Sequence, residues 1–568
     1  MDKSKVAIVS IDNNIQNSVK NAIETIGGIK KYIPKRKLLI KINGVHFTDY
    51  SYTDPRVLDA VLKIFIENGL QASDIYVIES CTSGLYTRMV FKISGLAEVC
   101  KENKVNIIYM DEGEKEKIKL GKEKYEVEIS KFVYDEIINQ ENRKDNIYIE
   151  IPKFKTHWCT KVTLGIKLQL GFLRDVSKAF KHHHYHEERL VDIFEAIRPD
   201  LCIIDGINGI AIGPCPPQNP DIINDYVYDY NLILASDDIV AIDAVGAMLL
   251  GLENLEVPTT KIAHERGLGV GDIEKIDIIT TPDMEIDSLI QKVPWELKKA
   301  FPDNVDILYG KELACYEGCV GLTLVYLELL TLENPDLKEN ASFTLLFGKG
   351  FEKEDLKELK EPICLVGSCC VEELGDYIKS NYDQVHEVNL CGNLGQYTNI
   401  LFTVTGIDPL SQVPTDKFTL PELLLGYTIA KSNNLEASLP DLPTVPQILD
   451  LISSSISSIP DEVLKDPEFQ ETIKKLMDDS DTKIRSNSTK IAIEMANLYN
   501  HNWIELVNKA LSDESKKVLK TTLKKLSKSG KKNTDLIKKL RTSIETIISK
   551  NEDKKIKKLG MKILGLIE

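Results

Sequence analysis

From Val6 to about residue 285, short runs rich in Ile, Val and Tyr alternate with stretches whose apolar residues recur every three or four positions. That alternation predicts an α/β domain with a largely parallel sheet. Strands are expected at 5–10, 37–42, 74–79, 105–110, 147–151, 201–204 and 232–235. The run from Asp54 to Gly69 reads as a complete helix, with an acidic cap, Pro55 in the first position and a terminal glycine. Charged residues crowd 111–131, which predicts a solvated hairpin or insertion.

Beyond 305 the pattern changes scale. A second, smaller α/β unit is expected from 306 to 415, with strands at 342–347, 362–366 and 385–390. A polar, proline-containing stretch, 416–445, reads as a linker. The tail, 446–568, is helical and repetitive: Asp478-Asp-Ser-Asp-Thr-Lys-Ile, Leu511-Ser-Asp-Glu-Ser-Lys-Lys-Val and Ser549-Lys-Asn-Glu-Asp-Lys-Lys-Ile each open an amphipathic run. Their closing residues Ile484, Val518 and Ile556 are spaced 34 and 38 apart, which predicts stacked helical pairs. The phrase resembles the inter-helix turn of HEAT or armadillo repeats, and an irregular helical bundle is the alternative.

Charge divides the chain unevenly. Residues 461–568 hold 24 Lys/Arg against 17 Asp/Glu, leaving 47 against 70 elsewhere. An acidic body with a mildly basic tail argues against nucleic acid as the partner of the main domain and leaves it open only for the tail. No apolar run reaches the roughly 20 residues that span a bilayer, and Met1 leads straight into a strand without a signal-peptide core, so a cytoplasmic protein is expected. In that compartment its 11 cysteines would be reduced thiols, metal ligands or core residues.

The chemistry concentrates at 147–251. Pro152 keeps Ile151 extended, and Lys153, Lys155 and His157 then share a face if the strand persists, with Lys167 ten residues on from His157. Such a cluster repels itself unless an anion or carboxylates offset it; a salt-bridged surface strand is the plain alternative. Asp205-Gly206 and Ser236-Asp237-Asp238 are expected just past two strand ends, where open α/β sheets bind ligands, although a turn and a helix cap would explain them too. Asp243 interrupts an apolar helix and is expected to have a cationic partner. His182, His183, His184 and His186 form a dense group, either metal-binding or solvated.

Six cysteines fall between 315 and 391. Cys315 and Cys319 are four apart, while Cys369, Cys370 and Cys391 lie just past strand-like runs. Four thiolates suit an iron–sulfur cluster, or alternatively a structural zinc ion, and the neighbouring glycines favour the cluster. Cys364 is expected in the core, and buried thiols are the alternative for the set.

Pro152-Lys-Phe-Lys-Thr-His157, Gly165-Ile-Lys167, the histidine group, Asp205-Gly206, Gly213-Pro214, Ala235-Ser-Asp237 and Ala241-Ile-Asp243 together resemble the domain-of-unknown-function 362 (DUF362) family. Upstream, Lys41-Ile-Asn43, Thr53-Asp-Pro55 and Glu79-Ser80 extend the resemblance over about 35–280. It implies a redox or metal context without naming a substrate, and it singles out His186 within the histidine group. The order Thr53-Asp-Pro-Arg-Val-Leu, helix, Asn68-Gly-Leu, then Asp74-Ile-Tyr-Val-Ile-Glu79 also resembles the opening of lactate racemase-like proteins, implying hydroxy-acid isomerisation on a nickel-bearing cofactor. The Gly-x-His expected after that strand is absent.

The leading expectation is therefore a redox or metal-dependent protein, an iron–sulfur oxidoreductase if it is an enzyme, with a small anion, a carboxylate or phosphate, bound in the first domain. Lys153, Lys155, Lys167, His186, Lys41 and Asn43 would bind it, His157 would act as acid or base, and Asp205 and Asp243 would orient the cations or hold a divalent metal. Cys315, Cys319, Cys391 and one of Cys369 or Cys370 would hold the cluster. A scaffold or metallochaperone, with the helical tail gripping a partner, is the non-enzymatic alternative.

Overall fold

The computed structural model describes residues 3–174, 185–414, 417, 420–435, 444–499, 501–531 and 533–567. The chain separates into two compact units, one running to Val413 and the other holding Pro414–Leu435 and the chain from Asp441 onward.

The first unit is built on a ten-stranded, mostly parallel sheet. Its strands are β1 (Ser4–Ser10), β2 (Leu38–Ile42), β3 (Ile75–Glu79), β4 (Asn106–Tyr109), β7 (Ile147–Ile151), β8 (Lys153–His157), β9 (Lys161–Thr163), β10 (Leu201–Gly213), β11 (Val227–Ser236) and β12 (Ile276–Thr281). They run in the order β12-β1-β11-β10-β7-β2-β3-β4, with β8 on β10 and β9 on β8. β11 is antiparallel to both neighbours; β2, β3, β4 and β7 are parallel. The crowded charges of 111–131 lie around a separate antiparallel hairpin, β5 (Lys115–Leu120) with β6 (Tyr125–Ser130).

The central strands are apolar on both faces because both faces are covered. On one face the helices Ile15–Thr25, Pro55–Glu67 and Leu96–Glu102 contribute to a single buried cluster with β2, β3 and β7. The helix Pro55–Glu67 starts as its sequence requires: Asp54 caps it through Arg56 N, and Gly69 follows with φ +97°.

One strand runs well past its expected end. Asp205-Gly206 does not terminate β10, which continues to Gly213 with a register shift between Gly206 and Asn208 against β11. The bulge depends on Gly206, where a Cβ would come within 2.7 Å of the Leu232 carbonyl. Isoleucines at 207, 210 and 212 keep the extension buried. Pro152 separates β7 from β8, and β10 passes from β7 at Leu201-Cys202 to β8 at Asp205.

A second sheet, β13 (Asn304–Tyr309), β14 (Ser342–Phe347), β15 (Ile363–Val366) and β16 (Val385–Val388), is parallel throughout and ordered as in the sequence. It has no core of its own on one side. Phe343, Leu345, Leu327 and Tyr397 belong to the same buried cluster as Phe154, Trp158, Ile204 and Leu234 of the first sheet. The boundary expected at 305/306 therefore falls inside one compact unit.

In the second unit, helix Thr482–Tyr499 packs on Lys516–Ser529, and that helix on Lys554–Leu564, while His501–Leu511 packs on Thr534–Lys550. The three expected repeat openings each precede a helix of the first of these rows. Residues 420–432, expected to be linker, are helical and pack on the helices Val445–Ser455 and Pro467–Leu476. Leu424, Leu425 and Ala430 are buried there; the apolar content of Leu420-Pro-Glu-Leu-Leu-Leu outweighs its flanking prolines.

Candidate functional site

β2, β8 and the short helix Gly165–Leu168 deliver Lys41, Asn43, Lys155, His157 and Lys167 to one cavity of about 150 Å³. Trp158, Thr163 and Ser80 also line it, and Leu322, Gly392 and Leu394 wall it from the cysteine-bearing segment. The expected persistence of strand geometry past Pro152 explains the juxtaposition of Lys155 and His157, two apart on β8.

Each cation has a different compensation. Lys41 is buried against Glu79 in an ion pair and also donates to the Ile42 carbonyl, 2.9 Å. Glu79 in turn accepts from Gly44 N (2.6 Å) and Ser80 N (2.7 Å). Gly171 lets the backbone close over this pair, since a Cβ there would meet both side chains at 2.9 Å. Lys155 is fully buried and donates to the carbonyls of Ser51 (3.0 Å) and Pro214 (3.2 Å). Burial, with Lys153 nearby, pushes its ammonium down to about 8. Burial pushes Lys167 further, to about 7. Two ammonium groups without a carboxylate ion pair among the described residues thus face the cavity.

His157 accepts a hydrogen bond from Cys159 N at Nδ1, 3.1 Å, so its neutral ring carries the proton on Nε2. It stacks on Trp158, ring centroids 5.5 Å apart. Two polar atoms of the lining are orphaned: Asn43 Oδ1 and Thr163 Oγ1 are buried without a hydrogen-bond partner. Sequence reasoning missed Thr163, because Lys161-Val-Thr163 is too short to read as the strand that pairs Thr163 with Lys155. His46, held near a pKa of about 4 by burial, lines an adjoining apolar cavity and was likewise not singled out.

The acids are placed differently from expectation. Lys153 pairs with Asp205 at 3.1 Å, both fully buried, and Asp205 also accepts from Asp54 N (2.7 Å) and Ile207 N (3.2 Å). This pair ties β8 to β10 and is not among the residues lining the cavity. Among the described residues Asp243 has no cationic partner of the expected kind. Its carboxylate accepts from Gly165 N (2.7 Å) and Ile166 N (3.0 Å), buried first-turn amides that have no partner within the Lys167 helix. Burial raises its pKa to about 7. Glu150, also raised by burial and by Asp243, accepts from Gln169 Nε2 at 2.5 Å, and Gln169 donates to the Gly165 carbonyl as well. These acids position the Lys167 turn from behind.

Asp238 caps the helix Ile239–Leu249 through Val240 N and Ala241 N, both 3.1 Å, and Asp237 pairs with Lys31. His186 is buried at the start of the helix His186–Ala196 and is not part of the cavity lining. His182, His183 and His184 lie outside the described residues.

Among the cysteines, Cys315, Cys319, Cys369 and Cys391 stand near one another. The Cys319 thiol is pushed up to about 12 by burial and by Cys391, Cys315 and Cys369; Cys369 is raised by burial and by Cys391 and Cys315. Gly367, at φ +98°, lies between them: a Cβ there would sit 3.1 Å from Cys319 Sγ and 3.9 Å from Cys391 Sγ. Ser368 Oγ is 3.0 Å from Cys391 Sγ. Cys370 turns away, donating to the Leu346 carbonyl at 3.3 Å within an apolar cluster, and Cys364 is core as expected. Among the described residues, no three His, Cys, Asp or Glu side chains form a group that would hold a single metal ion.

Residues 38–248 match the profile of a family described as a domain of unknown function, DUF362. A thylakoid-associated protein of Synechocystis sp. is 30% identical over 137 residues, 23% of this chain and 40% of the relative. The chain thus matches less than half of that relative's length. No solved structure matches significantly. No described helix is long and apolar enough to cross a membrane.

Proposed function

Residues 38–248 belong to the DUF362 family, and from that premise we propose that the protein is an iron–sulfur redox protein that binds a small anion beside its cluster. The observation that carries the reading is the composition of one cavity wall. Lys155 and Lys167 face the same space as Gly392, next to Cys391, and Leu322, three residues from Cys319. Cys315, Cys319, Cys369 and Cys391 would hold the cluster, with Gly367 leaving room between two of the sulfurs. The glycines beside the thiols, Gly318, Gly367 and Gly392, let backbone amides approach sulfur, which favours a cluster over a lone zinc ion.

Such a cluster supplies one-electron transfer next to the bound anion. Lys155 and Lys167 neutralise the anion, Trp158 and Leu394 exclude water, and His157 exchanges a proton through Nε2. Lys153, Asp205 and Asp243 act as positioning residues behind this set. The helical unit offers the surface for a protein partner, and the cytoplasm, where thiols stay reduced, is the expected setting.

Anaerobic purification tests the reading. Iron and acid-labile sulfide in equal amounts, with a broad visible absorption that Cys319→Ala abolishes, is the expected result. One equivalent of zinc without sulfide would replace the cluster by a structural metal site.

A further inference from the structure

The helical unit carries a surface that its own chain leaves charged. Helix Lys516–Ser529 holds six lysines and helix Lys554–Leu564 five, with no Asp or Glu in either. The two helices pack against each other. Two of the lysines are taken up within the row: Lys520 pairs with Asp553, just before the second helix, at 2.8 Å, and Lys525 pairs with Glu494 of the helix Thr482–Tyr499 at 2.5 Å.

These pairs mark the two flanks of Lys516–Ser529, and its buried Val518, Leu519, Leu523 and Leu526 mark the inward side. Lys517, Lys524 and Lys528, spaced seven and four apart, stand between the flanks on the solvent side. On the second helix Ile556, Gly560 and Ile563 are buried, and Lys554, Lys558 and Lys562 follow one another four apart along the opposite side. All six of these lysines are exposed, and none has an ion-pair partner among the described residues. Like charges four apart on a helix repel, so opposite charge brought from outside the chain would be favourable.

The composition of the face selects among anionic partners. Neither helix carries an arginine or an aromatic residue. Specific protein interfaces are anchored by Trp, Tyr and Arg, and nucleic acids are gripped by arginine forks and aromatic stacking. Lysines alone supply point charges on flexible stems, which suit a dense, fluid negative surface where each contributes separately. Met561 points the same way. It is 57% exposed, three residues from Lys558; the phosphates of a duplex would leave it in water, whereas a headgroup layer would cover it.

We propose that this face docks on an anionic phospholipid surface, with the lysines against the headgroups and Met561 between them. The assignment rests on neither the cavity nor the cysteines.

Vesicle flotation of the full-length protein tests it. The probes are vesicles of phosphatidylcholine alone and of phosphatidylcholine with about 30% phosphatidylserine, with a DNA duplex of random sequence and polyglutamate as rival anions. Binding is expected to the phosphatidylserine vesicles only, falling about tenfold or more between about 0.1 M and about 0.5 M salt. Lys524→Gln and Lys558→Gln should each weaken it about fivefold, whereas Lys538→Gln, on the helix Thr534–Lys550 outside this face, should leave it unchanged. Met561→Ser should weaken vesicle binding and keep its salt dependence. Each variant alters an exposed side chain and should melt with the parent. Equal binding to both kinds of vesicle, binding to neither, or Lys524 and Lys558 variants that bind like the parent would overturn the proposal. Tighter binding to the duplex or to polyglutamate than to vesicles of equal anionic charge would overturn it too.

Discussion

Lys155 and Lys167 are the residues where the site's chemistry is most exposed to titration. The proposed anion would bind their protonated forms, so its affinity should be highest below pH 7 and fall as pH rises through about 7 and then about 8. The slope should approach about tenfold per pH unit for each ammonium lost. Folding stability runs the other way. Between about 7 and 10.5 the unfolded Lys167 holds a proton that the folded one lacks, so the unliganded protein should gain stability with rising pH in that window. Lys167→Met should flatten this gain in thermal melts and weaken phosphate binding at pH 6. A pH-independent affinity would show that these ammonium groups do not contact the anion. The Lys41–Glu79 pair is a different case: both groups are buried, and Glu79→Ala strands a cation. That variant should lose about 3–5 kcal/mol in denaturant unfolding.

The informative element is the short helix Gly165–Leu168, too brief to be stable alone. Asp243 holds its first two amides, while Glu150 and Gln169 grip the Gly165 carbonyl's surroundings. Gly165 admits nothing larger than hydrogen, since a Cβ would lie 2.4 Å from Glu150 Oε1. Asp243→Asn sets an amide nitrogen against one of the two N–H donors. It should cost about 1–3 kcal/mol and weaken anion binding through Lys167, with inorganic phosphate affinity at pH 6 as the readout. Unchanged affinity alongside lost stability would confine Asp243 to the fold.

Across the whole molecule, the two units predict separable behaviour. The unit ending at Val413 contains both sheets and their shared apolar cluster. A 1–413 fragment should stay folded and keep both the proposed anion binding and the proposed cluster's absorption, whereas a break at 305 should expose Phe343, Leu345 and Tyr397 and aggregate. An insoluble 1–413 fragment beside a soluble full chain would mean that the helical unit completes the first.

Apolar runs bounded by proline and glycine were sufficient to locate β2, β3, β4 and β7, and the capped helix from Pro55, because local sterics and burial set these elements. Two-residue spacing likewise put Lys155 and His157 on one face. Other features depended on distant chain. The Asp205-Gly206 dipeptide has turn chemistry in isolation, and only the antiparallel partner β11, one carbonyl away from Gly206, makes it a bulge inside a long strand. An acid in an apolar helix suggests a cation by charge alone, yet backbone amides 77 and 78 residues earlier satisfied Asp243 instead. The adjacent cysteines 369 and 370 look equivalent along the chain and point apart in the fold, one toward Cys391 and one into the core. Sequence periodicity fixes which side chains leave a strand together; which partner they meet is decided by pairings between strands and loops far apart in the chain, which tertiary packing alone brings together.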